Sequence, residues 1–351
     1  MKNKCNALIF GAIVSMPCAA QADVLLYGLI DTTLRFSTHE NTAGDSKWQM
    51  TDGAVSGSRW GLRGTEDLGG GLKAWYVLES GFAPDSGVSL QGGRLFGRTA
   101  VIGVDGGFGK IALGRQYSLA HEIIASYDAT AISNNAIAGY QGGSYTGLRY
   151  DNTIKYIKSF GGLQLAAAYT FGEVAGNFSG NNAVAGSVVY SAGPFEAGAV
   201  YQVTHDVSTA FFGLPASQAS KQTVWALGGT YKMGRTQYYL GYTNSRLDVA
   251  DYRNNVVYVG AKANLTSALV LSGQFYYDWL LHADRGGKRL TAAAMLDYNF
   301  SKRTDVYLEV DYTNLRGEWI ALSSAPTFAN SGNTYGHGSR LGLMVGLRHK
   351  F

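Results

Sequence analysis

The sequence predicts an all-β fold: a 16-stranded antiparallel transmembrane β-barrel with short turns at one end and long loops at the other. Three observations predict it. From Asp23 onward, apolar and polar residues alternate in segments of about ten residues, which is the period of β-strands. After the N-terminal segment, no apolar run reaches the roughly 18 residues of a membrane helix. The connections between the segments alternate between short and long.

The first 22 residues resemble a secretory signal peptide. Lys2 and Lys4 form its charged start, Ala7–Met16 its apolar centre and Ala20–Ala22 its small-residue cleavage site. We expect cleavage before Asp23. The chain then divides into a signal peptide, 1–22, and one barrel domain, 23–351.

Cysteine content and charge exclude several classes of function. Both cysteines, Cys5 and Cys18, lie in the predicted signal, so the mature chain has no thiol for a disulfide or a cysteine metal site. Removing two of the 29 basic residues leaves a net charge of 27 − 25 = +2. So small a charge argues against a nucleic-acid partner. The sequence also suggests no metal-ligand cluster and no cofactor.

The alternating segments predict sixteen strands. Alternation is clearest in Thr304–Asn314, where Val306, Leu308, Val310 and Tyr312 alternate with Asp305, Tyr307, Glu309 and Asp311. The predicted strands are Val24–Thr38, Ser56–Asp67, Leu72–Gly81, Arg94–Val104, Gly109–Tyr117, Asn152–Lys158, Leu163–Phe171, Ala183–Ser191, Phe195–Thr204, Thr223–Lys232, Thr236–Asn244, Asn255–Asn264, Leu269–Leu281, Lys288–Asn299, Thr304–Asn314 and Gly338–Phe351. We find no helical period after Asp23.

The connections indicate which way such a barrel is oriented. The short ones are rich in Gly, Asp and Ser, as tight turns require. They include Leu68–Gly71, Asp105–Phe108, Ser159–Gly162, Met233–Arg235 and Phe300–Arg303. The long ones include His39–Val55, Phe82–Gly93, Ser118–Asp151, Gly172–Asn182, His205–Gln222 and Leu315–His337. In an outer-membrane barrel, short turns face the periplasm and long loops the exterior.

The two faces of the strands differ in polarity. One face is apolar, with aromatic residues near strand ends, as in the girdles of membrane barrels. The other face carries charge and therefore requires water, and a barrel of sixteen strands encloses an aqueous channel. The predicted lumen-lining charges are Asp31, Arg35, Arg59, Arg63, Lys73, Glu79, Asp305, Glu309 and Asp311.

The longest connection has an unusual composition. Residues 118–148 contain no Lys or Arg, and their only acids are Glu122 and Asp128. Loops of this length in a compact fold are usually functional or disordered. The hollow barrel gives this loop a space to enter, so we expect it to fold inward.

Four motifs resemble those of the Gram-negative general porins, the trimeric outer-membrane porins of β-proteobacteria. They are SRWGLRGTEDLGGG at Ser58–Gly71, LKAWYVLESGF at Leu72–Phe82, GGFGKIALGRQY at Gly106–Tyr117 and GLRHKF at Gly346–Phe351. The resemblance covers essentially the whole mature chain. It implies a homotrimer in the cell outer membrane, in contact with lipid and lipopolysaccharide. Its function would be passive diffusion of small hydrophilic solutes and ions, with no enzymatic step.

The resemblance also implies a constriction, because the third loop of these porins narrows the lumen. The basic wall falls on Arg59, Arg98 and Arg149, with Glu79 beside it; Glu122 and Asp128 oppose it from the loop. Arginines outnumber acids there, so we predict a weak anion preference. The Pro-Glu-Phe-Gly type of sequence common in such loops is missing; Ala120–Tyr127 stands in its place.

The C-terminus resembles the signal that the barrel-assembly machinery reads. Phe351 is terminal, and His349, Leu347 and Val345 share its face of the last strand. An ordinary apolar strand could show the same alternation but would not require a terminal Phe.

Three other functions remain open from the sequence. A substrate-specific outer-membrane channel would differ from a general porin in only a few loop residues. A non-conducting, plugged barrel fits poorly with charges on many inward faces. A hydrolase needs a nucleophile, a base and an orienting acid together. The histidines of this chain fall mostly in predicted loops, at His39, His121, His205, His282 and His337.

Overall fold

The structure, a computed structural model, describes residues 23–53, 55–130, 147–206, 220–248, 251–323 and 334–351. The predicted signal peptide lies outside the described residues. Along the described chain run the strands β1 (Asp23–Ser37), β2 (Lys47–Asp52), β3 (Arg59–Gly69), β4 (Leu72–Gly81), β5 (Thr99–Gly106), β6 (Gly109–Tyr117), β7 (Arg149–Phe160), β8 (Leu163–Thr170), β9 (Ala183–Ala192), β10 (Phe195–His205), β11 (Lys221–Met233), β12 (Thr236–Leu247), β13 (Arg253–Asn264), β14 (Leu269–His282), β15 (Arg285–Asn299), β16 (Thr304–Gly317) and β17 (Ser339–Lys350). Helix α1 (Leu119–Ser126) follows β6, and helix α2 (Glu318–Ser323) follows β16.

The strands form one closed antiparallel sheet with sixteen wall positions. On one side β1 pairs with β17, which closes the barrel. On its other side, the first part of β1 pairs with β3 and the last part with β2. β2 and β3 therefore share one wall position, so the seventeen described strands make 17 − 1 = 16 positions. The prediction of a 16-stranded antiparallel barrel is confirmed.

Three local predictions are wrong. Lys47–Asp52, predicted as loop, forms β2 because β1 extends beyond the end of β3 and offers unpaired backbone groups. Arg94–Arg98, predicted as the start of a strand, precedes β5. Helices α1 and α2 have eight and six residues, too short to produce a helical period that stands out from the alternation around them.

The tight turns predicted from the sequence lie at the end of the barrel that holds Asp23 and Phe351. There the backbone N–H groups of Gly28 and Phe351 each donate to the other residue's carbonyl at 3.0 Å. The ring of Phe351 occupies the space that a side chain at Gly28 would need. At the opposite end, β14 and β15 are joined by only Ala283 and Asp284, both with positive φ, as a tight hairpin requires.

Strand alternation separates a lipid-type outer face from a polar interior. On β16, Leu308, Val310 and Tyr312 are exposed on the outside. Their neighbours Asp305, Glu309 and Asp311 are buried on the inside. None of the helices in the described residues is long and apolar enough to cross a membrane.

Candidate pore constriction

The three predicted arginines come together on the inner wall, although 90 residues of sequence separate the first from the last. Arg59 begins β3, Arg98 directly precedes β5 and Arg149 begins β7. These strands, with β4 and β6 between them, are consecutive in the sheet. Each arginine lies near the long-loop end of its strand, so the antiparallel register brings them to one height.

Glu79 and Tyr117 join the three guanidinium groups. Arg98 Nε donates to Glu79 Oε1 at 2.7 Å, and Arg59 Nη1 lies 4.0 Å from the same oxygen. Arg98 Nη2 donates to the hydroxyl oxygen of Tyr117 at 3.2 Å. Arg149 Nη2 donates to the same oxygen. The Arg149 guanidinium also lies 4.1 Å from the centre of the Tyr117 ring.

The arginine cluster, defined as Arg59, Arg98, Arg149 and Glu79, carries a net charge of 3 − 1 = +2. Within the described residues, its ion pairs end on one carboxylate, that of Glu79. Residues 131–146 contribute no charged side chain, because their sequence contains none. The Arg59 side chain is 26% exposed and that of Arg98 5%, so Arg59 presents its charge more openly to the lumen than Arg98 does.

The loop after β6 turns into the barrel, as predicted. Ser118 caps α1: its hydroxyl accepts a bond from the backbone N–H of His121 at 3.1 Å. Leu119, Ala120, Ile123 and Ile124 form a buried face that packs against the inner side of the wall at β8–β11. Further on, the backbone N–H of Ala129 donates to Gln274 on β14 at 2.9 Å. The loop therefore reaches from β6 to β14, which is 14 − 6 = 8 of the sixteen positions, or half the circumference.

His121 links the helix to the arginine cluster. Its ring stacks on Tyr117, with 4.6 Å between the ring centres. Burial lowers the pKa of His121 to about 3, and the charges of Arg149, Arg98 and Lys155 act in the same direction. The imidazole is therefore neutral at physiological pH and adds no charge to the cluster.

The two loop acids have partners of their own. Glu122 Oε1 lies 2.7 Å from Lys155 Nζ on β7, and that ammonium also donates to the carbonyl of Tyr117 at 2.8 Å. Asp128 is 3% exposed; its carboxylate accepts bonds from Tyr276 on β14 at 2.6 Å and from Thr130. Glu122 thus stands beside the arginine wall, whereas Asp128 is held on the far side of the lumen.

Five other predicted lumen charges, on β1 and β16, form a buried network with Arg348 on β17 and Asp297 on β15. Arg35 pairs with Asp311 at 2.7 Å, and Asp31 accepts a bond from Tyr307 at 2.6 Å. Arg348 pairs with Asp305 at 3.0 Å and with Asp297 at 3.1 Å. The side chains, with Glu309 among them, point inward and fill this side of the interior. Arg63 and Lys73 are exposed and lie nearer the tight turns.

Sequence reasoning missed Tyr117, His121 and Lys155 as parts of this site. Lys155 shares the face of β7 that carries Thr153, so alternation alone could have identified it as inward-facing. Tyr117 is the last residue of β6, where a register shift between Gly114 and Gln116 breaks the alternation. No group of three or more His, Cys, Asp or Glu side chains in the described residues is arranged to hold a metal ion.

The C-terminal residues of the predicted assembly signal lie on the outer face. Val345, Leu347 and Phe351 are exposed there, and His349 Nδ1 lies 2.9 Å from the Thr304 hydroxyl on β16.

Comparisons with known proteins agree with this architecture. A family model described as Gram-negative porin matches residues 7–318. Outer membrane porin protein 32 of Delftia acidovorans is 31% identical over 95% of each chain. An outer membrane porin protein of Bordetella pertussis is 41% identical over 44% of each chain.

Solved structures share the fold of this chain. The anion-selective porin from Comamonas acidovorans superimposes with a TM-score of 0.76 and 26% identity, covering 94% of this chain and 100% of that one. The trimer form of OmpT of Vibrio cholerae superimposes with a TM-score of 0.67 and 17% identity, covering 94% and 99%.

Proposed function

Because this chain belongs to the Gram-negative porin family, we propose that the arginine cluster forms its selectivity constriction and favours small hydrophilic anions. The protein is a passive channel of the outer membrane and not an enzyme. Solutes cross it by diffusion through water, and their selection depends on the width and charge of the narrowest region.

The observation that carries this proposal is the excess of positive charge in the cluster. Three guanidinium groups share the carboxylate of Glu79 and the hydroxyl of Tyr117. Two unit charges about 4 Å apart interact by about 1 kcal/mol in water and by about 4 kcal/mol at an effective dielectric of 20. A narrow passage with low-dielectric walls approaches the second value. The relative from Comamonas acidovorans is named as anion-selective, which agrees with a constriction of net positive charge.

The two loop acids, Glu122 and Asp128, have different roles in this mechanism. Glu122, whose side chain is 42% exposed beside Lys155, places a negative charge at the edge of the passage and weakens the anion preference. Asp128 accepts the Tyr276 hydroxyl bond and anchors the loop to β14. In the proposed constriction, Asp128 therefore sets the position of the loop more than the field across the pore.

Removing one arginine tests the selectivity. In planar bilayers with a salt gradient, we expect the unaltered channel to show a reversal potential of anion preference. Arg59→Gln should lower the anion-to-cation permeability ratio by about fivefold or less, since one charge is worth about 1 kcal/mol in hydrated surroundings.

The matched control is Arg303→Gln, in the exposed turn between β15 and β16. It should leave the reversal potential unchanged. A cation preference in the unaltered channel would contradict the proposal, and so would an equal response of the two variants.

We also propose the cellular setting that the family suggests. The chain would be exported by the signal peptide 1–22, inserted by the barrel-assembly machinery and assembled as a homotrimer in contact with lipid and lipopolysaccharide. A solved trimer of the same fold supports the oligomeric state. The exposed apolar face that ends in Phe351 supports insertion through an assembly signal.

A further inference from the structure

A second group of cations lies inside the barrel, nearer to the tight turns. Arg63 on β3, Lys73 on β4 and Lys110 on β6 line a cavity of about 440 Å³. Arg63 follows Arg59 by four residues on the same strand, so it lies about 13 Å further along the wall at roughly 3.3 Å per residue. The cavity is therefore separate from the arginine cluster, on the same side of the lumen.

Aromatic rings hold two of these cations in place. Lys110 Nζ lies 4.0 Å from the centre of the Trp75 ring, and the Arg63 guanidinium lies 5.2 Å from that of Tyr27. The Trp75 ring in turn covers Gly103, where an added Cβ would come within 2.5 Å of it. A ring attracts a cation without neutralising it. These side chains are thus fixed while their charges remain available.

The acids nearby do not balance the three cations. Asp105, on β5, lines the cavity between two of the cations. It is paired with Lys73 on the neighbouring strand β4 and with Lys110 on the other neighbour, β6. Asp67, opposite Lys73 in the β3–β4 register, accepts a bond from the backbone N–H of Gly69 at 2.8 Å. The charged residues that line the cavity therefore sum to 3 − 1 = +2.

These features fit an anion with several oxygens. A guanidinium and two ammonium groups on three different strands line one cavity, and each prefers a charged oxygen. The cavity volume lies in the range of small-molecule sites. A divalent oxyanion carries more charge than chloride and offers several charged oxygens, so it gains more from three neighbouring cations.

We propose that this cavity is a binding subsite for small multivalent oxyanions, of the size of inorganic phosphate or a short dicarboxylate. This subsite rests on the proposed function, because it serves anions that pass the arginine cluster. It holds them on the periplasmic side of the constriction, where they leave the channel.

Single-channel recording with inorganic phosphate tests the subsite. In a chloride background at mildly alkaline pH, phosphate should reduce the open-channel current in a saturable manner. In the double variant Lys73→Gln/Lys110→Gln, the half-blocking phosphate concentration should rise by up to about twenty-five-fold, since each hydrated charge contact is worth about fivefold.

Two controls separate this inference from the proposed function. Lys302→Gln, in the exposed turn between β15 and β16, should leave the phosphate block unchanged. The double variant should keep the anion preference measured by reversal potential, because Arg59, Arg98 and Arg149 are intact. The subsite is refuted if phosphate does not block a conducting, anion-preferring channel, or if it blocks the double variant at the same concentration. If the unaltered channel shows no anion preference, that result would instead refute the proposed constriction.

Discussion

Tyr117 and His121 determine how the arginine cluster is held together. One tyrosine hydroxyl accepts bonds from two guanidinium groups, and one face of its ring packs against a neutral imidazole. Such groups keep like charges close without cancelling them. If the proposed constriction is correct, we expect selectivity to depend on uncharged residues next to the arginines as well as on the arginines.

The low pKa of His121 predicts an effect of acid on α1. The imidazole has a pKa of about 3 when α1 is docked and an ordinary value near 6.5 when it is not. The undocked loop therefore binds the proton more readily, so docking of α1 becomes less favourable as the pH falls below about 6.5. Docking is fully stabilised above that pH and weakens progressively toward pH 3.

Current noise from loop motion should consequently increase as the pH is lowered from 7 to 4. The variant His121→Phe keeps an aromatic ring on Tyr117 but cannot titrate, so its noise should change much less over this range. Equal pH dependence in the two proteins would assign the effect to another group.

At the scale of elements, α1 is positioned by close contact with the wall. The Tyr127 side chain, directly after α1, lies against Gly228 on β11, where an added Cβ would come within 2.7 Å of it. On β10, a Cβ at Gly198 would meet the Tyr127 hydroxyl at 2.5 Å. Glycine at these two positions leaves the space that lets the loop lie flat on the wall.

The variant Gly228→Val should displace Tyr127 and release α1 from the wall. We expect a single-channel conductance that differs from that of the unaltered protein and fluctuates more, because the loop no longer has a fixed position. Gly273→Val is the matched control: its added Cβ would have its nearest neighbour at 3.8 Å. Similar recordings from both variants would mean that the contact at Gly228 does not position the loop.

At the scale of the whole molecule, charge is distributed unevenly around the barrel. The wall at β3–β7 holds the arginine cluster and the second cation group, whereas β1, β15, β16 and β17 hold a compact network rich in acids. Under the proposed function, we expect ions that cross the lumen to meet a transverse electric field. The inward loop, anchored at β6 and at β14, divides the space between these walls.

The proposed homotrimer predicts the mass of the purified protein. Light scattering in detergent, corrected for bound detergent, should give three times the mass of the mature chain. Heating in sodium dodecyl sulphate should convert the trimer to the unfolded monomer. A folded species with the mass of one chain would contradict the trimer.

The sequence by itself determined the barrel and the direction in which its side chains point. Period-two alternation assigns Asp31, Arg63 and Asp311 to the inside without any knowledge of strand pairing, because successive side chains of a strand point to opposite faces. Close agreement on strands such as Leu72–Gly81 and Gly109–Tyr117 follows from the same rule together with turn-forming residues.

Apart from the arginine wall, which the family resemblance implied, only the tertiary structure decided which inward charges meet. Strand register and closure bring Arg59, Arg98 and Arg149 together, pair Arg35 with Asp311, and bring Glu122 to Lys155 and Asp128 to Tyr276. Alternation fixes a side chain's face but not its neighbours, since neighbours come from strands far apart in sequence. The short helix α1 was also invisible in the sequence, because its docking depends on a glycine-lined wall that exists only after the barrel has closed.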